Sequence, residues 1–324
     1  MKSLRIVSVA LCAFVFAPAL HAEAPAAAAA HAFLRAQAGK EGQHVLQTLS
    51  SEFRPAGGRG PSIWLVGVSH LGTEEYYTAI QKRLDAQTVV LFEGIGLHDV
   101  KQGPGKPAEQ TGVQSTLATA LGLVFQLNAI DYRRPNFINS DLQVPELEKE
   151  VEERSAATGQ PENETFNKLV EALNGTGATG GALNQMIGLL GSSSQMRETT
   201  KLMLIQVLGR AGEFLAMAQQ TSPEMKNLFE VVLTQRNAVV LRDLRTQLRK
   251  LQAGQSIAVF YGAAHMDEIA KRLRQDLGYV PAEQVWDSAF AADAGQSGIN
   301  PAQIQMMLDM MRLQMQQAKP VPQP

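Results

Sequence analysis

Cysteine is almost missing from these 324 residues: Cys12 is the only one. It lies inside the apolar stretch Ile6 to Leu20, which follows Lys2 and Arg5 and precedes the small residues Ala22 and Ala24. That layout predicts a cleavable secretory signal over residues 1–22, and Leu11 is too large to suit lipoprotein processing at Cys12. The expected mature chain then lacks cysteine and disulfides, which a protein this long tolerates because its core is large. Its expected location is periplasmic or secreted. A basic excess is lacking as well. Lys and Arg number 29 against 31 Asp and Glu, and loss of Lys2 and Arg5 tips the balance further, so no nucleic-acid partner is expected. No later run is long and apolar enough to span a membrane, so no transmembrane anchor is expected after signal removal.

What is present is a pattern that occurs twice. Ile63-Trp64-Leu65-Val66-Gly67-Val68-Ser69-His70 and Ile257-Ala258-Val259-Phe260-Tyr261-Gly262-Ala263-Ala264-His265 each read as a buried strand, then Gly-x-x-His, then a helix. A third apolar run, Thr88 to Phe92, ends in Glu93 before Gly94-Ile95-Gly96. Ligands of open α/β sheets bind where strands hand over to helices. His70, Glu93 and His265 therefore form a candidate metal or acid/base site gathered from distant parts of the chain. The expected fold is α/β, a central, mostly parallel sheet with flanking helices, two strand-GxxH-helix units and a large helical insertion.

The expected organisation is an N-terminal tether and helix over 23–60, a domain over 61–290 with a helical insertion at about 142–221, and a Met- and Gln-rich tail over 291–324. Thr73, Glu74 and Glu75 predict one helix start; Asp267 and Glu268 predict another, with Gly278 as its stop. Helices are also expected over Gln114 to Leu127, Pro145 to Arg154, Glu164 to Leu173, Ala182 to Leu190 and Gln195 to Gln219. Asn174 to Gly181 reads as a flexible connector, which makes the insertion a candidate lid.

From Ser222-Pro223-Glu224 a helical pattern runs to Gly254, with Phe229, Leu233, Val240, Leu244, Leu248 and Leu251 as its buried stripe. Arg236 and Asn237 fill the one gap in that stripe. A buried guanidinium costs several kcal/mol unless acceptors meet it, so Arg236 is expected to point at Glu93, Asp141 or a bound anion. His31, His44 and His98 read as surface residues. Ile304, Met307, Leu308, Met311 and Met315 fit one helical face, which favours packing, a partner contact or self-association over a soft-metal site.

The ordered set Gly67-Val68-Ser69-His70, Glu93, Arg236-Asn237 and Gly262-Ala263-Ala264-His265 resembles the TraB/PrgY/GumN family, which includes the Tiki proteases. The resemblance spans about Ile63 to Trp286, and Asn136 to Asp141 also looks like an element of the family. It implies a fold related to erythromycin esterase and the ChaN haem-associated proteins. It further implies that His70, Glu93 and His265 are the metal or catalytic residues, with Arg236 and Asn237 lining the same cleft. The leading expectation is a metal-dependent hydrolase of peptides or proteins. His70 and His265 would hold manganese, cobalt or zinc, with Glu93 either completing the ligand set or acting as general base on a bound water; Arg236 would meet an oxyanion, and Asn237 and Asp141 would contact substrate. The alternatives are a metal-independent ester or lactone hydrolase like erythromycin esterase, and a non-enzymatic protein that binds a peptide or haem-like ligand. Tiki members are membrane-tethered and act on secreted signalling proteins, a layout this sequence does not share.

Overall fold

A computed structural model describes residues 33–94, 112–158, 177–221, 226 and 229–316. The expected signal segment, His31, His98 and the expected helix at Glu164 to Leu173 lie outside those residues. The strands in chain order are β1 (Leu34–Ala38), β2 (Gln43–Pro55), β3 (Ser62–Val68), β4 (Leu71–Gly72), β5 (Val89–Phe92), β6 (Val124–Phe125), β7 (Phe137–Asn139), β8 (Ser256–Gly262) and β9 (Tyr279–Asp293). β4 and β6 form a small separate ribbon, and the other seven make one sheet.

The fold is α/β with a central sheet flanked by helices, as the alternating pattern predicted. Its heart is parallel: β8 lies between β3 and β5, and β7 follows β5. β3, β5 and β8 are apolar almost throughout because helices cover both faces of the sheet, the usual reading of a buried parallel strand. An antiparallel wing adds β2 beside β3, with β9 along the far side of β2 and β1 continuing the near side.

That wing replaces the helix expected within 23–60. β2 escaped notice because Thr48, Ser50, Ser51 and Glu52 look like surface residues and are all buried. Three of them have partners that offset the cost of burial, Glu52 through an ion pair with Arg54 at 2.8 Å. The Thr48 hydroxyl lies 2.9 Å from the Tyr76 hydroxyl, and Ser50 accepts a bond from Arg83. β9 was not anticipated either, since Val280 to Gln284 are exposed, include Pro281 and show no apolar-polar alternation.

The helices are α1 (Glu74–Asp85), α2 (Val113–Leu121), α3 (Gln126–Ala129), α4 (Val144–Thr158), α5 (Gly177–Leu190), α6 (Ser194–Leu208), α7 (Ala211–Thr221), α8 (Arg236–Leu248), α9 (Ala263–Leu277), α10 (Ala294–Ser297) and α11 (Pro301–Gln316). Thr73 caps α1 by accepting from the Tyr76 N–H. α2 stops six residues short of expectation because Gly122 adopts a left-handed φ of 66°, a conformation glycine accepts without strain. The expected connector is helical from Gly177 onwards. The middle of the chain is also tied to the main core: Leu202 and Ile205 of α6 are fully buried with the residues of the sheet. α11 likewise packs through Ile304 and Leu308, leaving Met306 and Met310 exposed. No helix among the described residues is long and apolar enough to cross a membrane.

The long helix expected up to Gly254 differs in two ways. It ends at Leu248, and a π-helical turn at Glu230–Gln235 precedes α8. A π turn carries an extra residue and so rotates everything after it relative to the helix before it. Phe229 is buried just ahead of the turn, Val232 within it, and Arg236, Asn237, Val240, Leu241 and Leu244 beyond it. The break in the apolar stripe and the change of helical register thus fall at the same place.

Candidate functional site

His70, Glu93, Asp141 and His265 follow the C-terminal ends of four neighbouring parallel strands, β3, β5, β7 and β8. β8 comes from far along the chain yet inserts between β3 and β5, and this brings both histidines close to the carboxylate. The two Gly-x-x-His segments are not in register. Gly67 pairs with Tyr261 and Val68 with Gly262. His70 accordingly sits in the loop between β3 and β4, whereas His265 sits in the first turn of α9, which opens at Ala263 rather than at Asp267.

Gly262 has a direct part in the site. Its N–H donates to Glu93 Oε2 at 2.7 Å. A Cβ at this position would lie 3.3 Å from Glu93 Oε2 and 3.3 Å from His70 Nε2, in the space that these groups share. His265 Nε2 lies nearer the other carboxylate oxygen, 3.8 Å from Oε1.

Each imidazole is held from behind by a side-chain amide. His70 Nδ1 lies 2.8 Å from Gln126 Oε1, and the Gln126 amide nitrogen donates to the Tyr132 hydroxyl at 2.8 Å. His265 Nδ1 lies 2.7 Å from Asn237 Oδ1, and Asn237 Nδ2 donates to Glu268 at 2.5 Å. An amide oxygen only accepts, so with the amides turned this way each ring donates from Nδ1 and leaves Nε2 unprotonated; what fixes each amide is its outer partner. Burial pushes His265 down to about 4, against the pull of Glu93 and with the help of Arg236. Burial lowers His70 as well, again opposed by Glu93. Both rings are neutral at pH 7.

Arg236, with 1 % of its side chain exposed, meets both expected anions. Nε and Nη2 form a fork on Asp141 at 2.9 and 2.7 Å, and Nη2 also reaches Glu93 Oε1 at 2.5 Å. Nη1 is directed at the Val232 carbonyl of the π turn. Burial alone would raise the Glu93 carboxyl, but Arg236 foremost holds it well below the usual carboxylate range. Asp141 also accepts from the N–H groups of Gly94 and Leu142.

These contacts show what three of the expected site residues do within the protein itself. Asp141 has no exposed side-chain surface and anchors Arg236. Asn237 is spent on His265 and Glu268. Arg236 directs its donors at carboxylates and a main-chain carbonyl, which sets the charge state of Glu93 and leaves the expected oxyanion role without support. Tyr261 completes the floor of the site; its hydroxyl donates to the Ser140 carbonyl and its ring stands edge-on to His265, with centroids 5.3 Å apart. His44, read as a surface residue, is half-buried and accepts at Nδ1 from Gln206 at 3.0 Å.

Gln126, Tyr132 and Glu268 were missed as parts of the site. Gln126 had one sequence signal, a lone amide in the apolar run Leu121-Gly122-Leu123-Val124-Phe125-Gln126-Leu127. Glu268 had none, since an acid near a helix start needs no further explanation.

Among the described residues, no group of three or more His, Cys, Asp or Glu side chains is gathered closely enough to hold a metal ion as it stands. The donor chemistry nevertheless suits one. Two neutral rings with bare Nε2 atoms and amide-held Nδ1 atoms, beside an ionised carboxylate, form a nitrogen and oxygen ligand set with its supporting hydrogen bonds in place. Arg236 against Glu93 and Asp141 leaves one excess negative charge, which favours a cation over an anion. In comparisons with known proteins, no family model, no curated protein and no solved structure matches this chain.

Proposed function

We propose that this protein is an exported metal-dependent hydrolase of the Tiki/TraB type, with peptide bonds as its leading substrate class. The observation that carries the reading is the gathering of His70, Glu93 and His265 at the strand exits, with each ring's Nδ1 held by an amide oxygen. His70, His265 and Glu93 would hold the ion, for which manganese, cobalt and zinc all suit the donors. When bound, such an ion polarises a carbonyl and lowers the pKa of a neighbouring water.

The chain's own residues do the rest. Arg236 and the Gly262 N–H keep Glu93 ionised, so it acts chiefly as a charge beside the reacting centre and only weakly as a proton acceptor. Asn237 and Gln126 orient the rings. Gly262 keeps the space between the three groups open. The same features weigh against the metal-independent ester hydrolase. A general base works best with a pKa near the operating pH, and burial takes both histidines the other way.

The test is incubation of the secreted form with a diverse peptide pool and, separately, a pool of esters and lactones, with manganese or cobalt and again with a chelator, read by mass spectrometry beside His265→Ala. Cleavage that needs the ion and is lost in the variant supports the reading. Cleavage of peptides or esters that persists in chelator overturns the metal. No turnover of either pool overturns the hydrolase and points to ligand capture.

A further inference from the structure

The arrangement behind His265 differs from the one behind His70 in a way that chemistry alone decides. His265 and Glu268 are three residues apart on α9, so their side chains emerge on one face of the helix. Asn237, 1 % exposed, comes across from α8 and lies between them. Its amide could in principle turn over, exchanging Oδ1 and Nδ2. Glu268 prevents this, because a carboxylate is an acceptor only. The 2.5 Å contact is possible only with Nδ2 facing Glu268, which leaves Oδ1 for the ring, and Oδ1 can only accept.

The Gln126 amide has no such constraint. Its outer partner is the Tyr132 hydroxyl, which donates or accepts with equal ease. The two histidines therefore share a geometry, but only one has its tautomer dictated by a charged residue.

We propose that Glu268 is a positioning residue that locks the Asn237 amide and thereby holds His265 as its Nδ1–H tautomer, with Nε2 presented to Glu93. This rests on the reading of His265 as a group that works through its Nε2 lone pair, but the measurement that tests it does not involve hydrolysis. The lock also gives α8 and α9 a polar link formed by three side chains from two helices.

The experiment is nuclear magnetic resonance on the secreted form carrying isotope-labelled histidine, at neutral pH, in chelator and without added metal. His265 signals are identified by their loss in His265→Gln, and His70 is the internal reference. In the unsubstituted protein His265 is expected as Nδ1–H. Glu268→Gln keeps the shape but offers both a donor and an acceptor, so it removes the lock. The ratio of Nε2–H to Nδ1–H at His265 should then rise about tenfold, as expected for loss of one charge-assisted bond, with His70 unmoved. The swapped pair Asn237→Asp with Glu268→Gln again leaves only acceptors facing the ring and should restore Nδ1–H. An Nε2–H ring in the unsubstituted protein, an unchanged ratio in Glu268→Gln, or a swapped pair that fails to restore the ratio each overturns the inference. If Glu268→Gln does not fold, the unsubstituted protein and the swapped pair still decide. Metal-dependent cleavage together with any of those outcomes would leave the proposed function standing and remove only the lock.

Discussion

Replacing Arg236 with methionine should both destabilise the protein and reverse part of its response to pH. The guanidinium lies between two buried carboxylates, 2.5 Å from Glu93 and 2.7 Å from Asp141. Methionine fills the alkyl volume but leaves those carboxylates without their shared cation. Removing one partner of a buried ion pair costs about 3–5 kcal/mol, so a loss of that size is expected at pH 8. The native state can recover by binding a proton. Without Arg236, either Glu93 protonates or Glu93 draws a proton onto His265, since Arg236 opposes both. Each route raises a native pKa above its unfolded value, so proton binding favours the native state and stability should rise as pH falls from 8 towards 6. The unsubstituted protein should show no such gain. The assay is the urea midpoint at constant m, in chelator, for both proteins across that range. A loss below about 1 kcal/mol would show that Arg236 is not the counter-charge of this cluster. Parallel pH responses would refute the protonation argument.

Three further outcomes follow from the same contacts. In the unsubstituted protein, His265 is held down to about 4 from an ordinary 6.5; the unfolded chain therefore binds the extra proton between those values. Stability should fall by about 3 kcal/mol as pH drops through that window, and chemical denaturation with His265→Gln should show a shallower fall. Gly262→Ala places a methyl 3.3 Å from both Glu93 and His70 at an ordinary backbone angle. Its urea midpoint should change little, while peptide turnover should drop by about 100-fold, the order expected when catalytic groups are displaced. Leu202→Ala should cost about 2–5 kcal/mol in one cooperative transition; a separate early transition of the helical middle would show that it folds as a unit of its own.

Much of the site was legible because its local signals are strong. A strand, a glycine and a histidine at a strand exit form a short contiguous pattern, and Arg236 betrayed itself by interrupting an apolar stripe. The supporting residues were not legible. Gln126, Tyr132 and Glu268 are ordinary polar residues whose roles come only from what faces them. The N-terminal wing was hidden for a related reason: Thr48 and Ser50 look solvated in sequence and are buried on β2 beside Tyr76 and Arg83.

The sequence by itself determined the strand-helix units, the apolar strands that must be covered on both faces, and the need of Arg236 for buried anions, because each follows from residues close together in the chain. Tertiary structure decided the rest. The insertion of β8 between β3 and β5 brings His70, Glu93 and His265 together, and the one-residue offset of the two Gly-x-x-His segments places one histidine in a loop and the other in a helix. The π turn aims Arg236 at two carboxylates at once. Strand order, register and helix rotation depend on the balance of packing over the whole molecule, so no local stretch of residues encodes them.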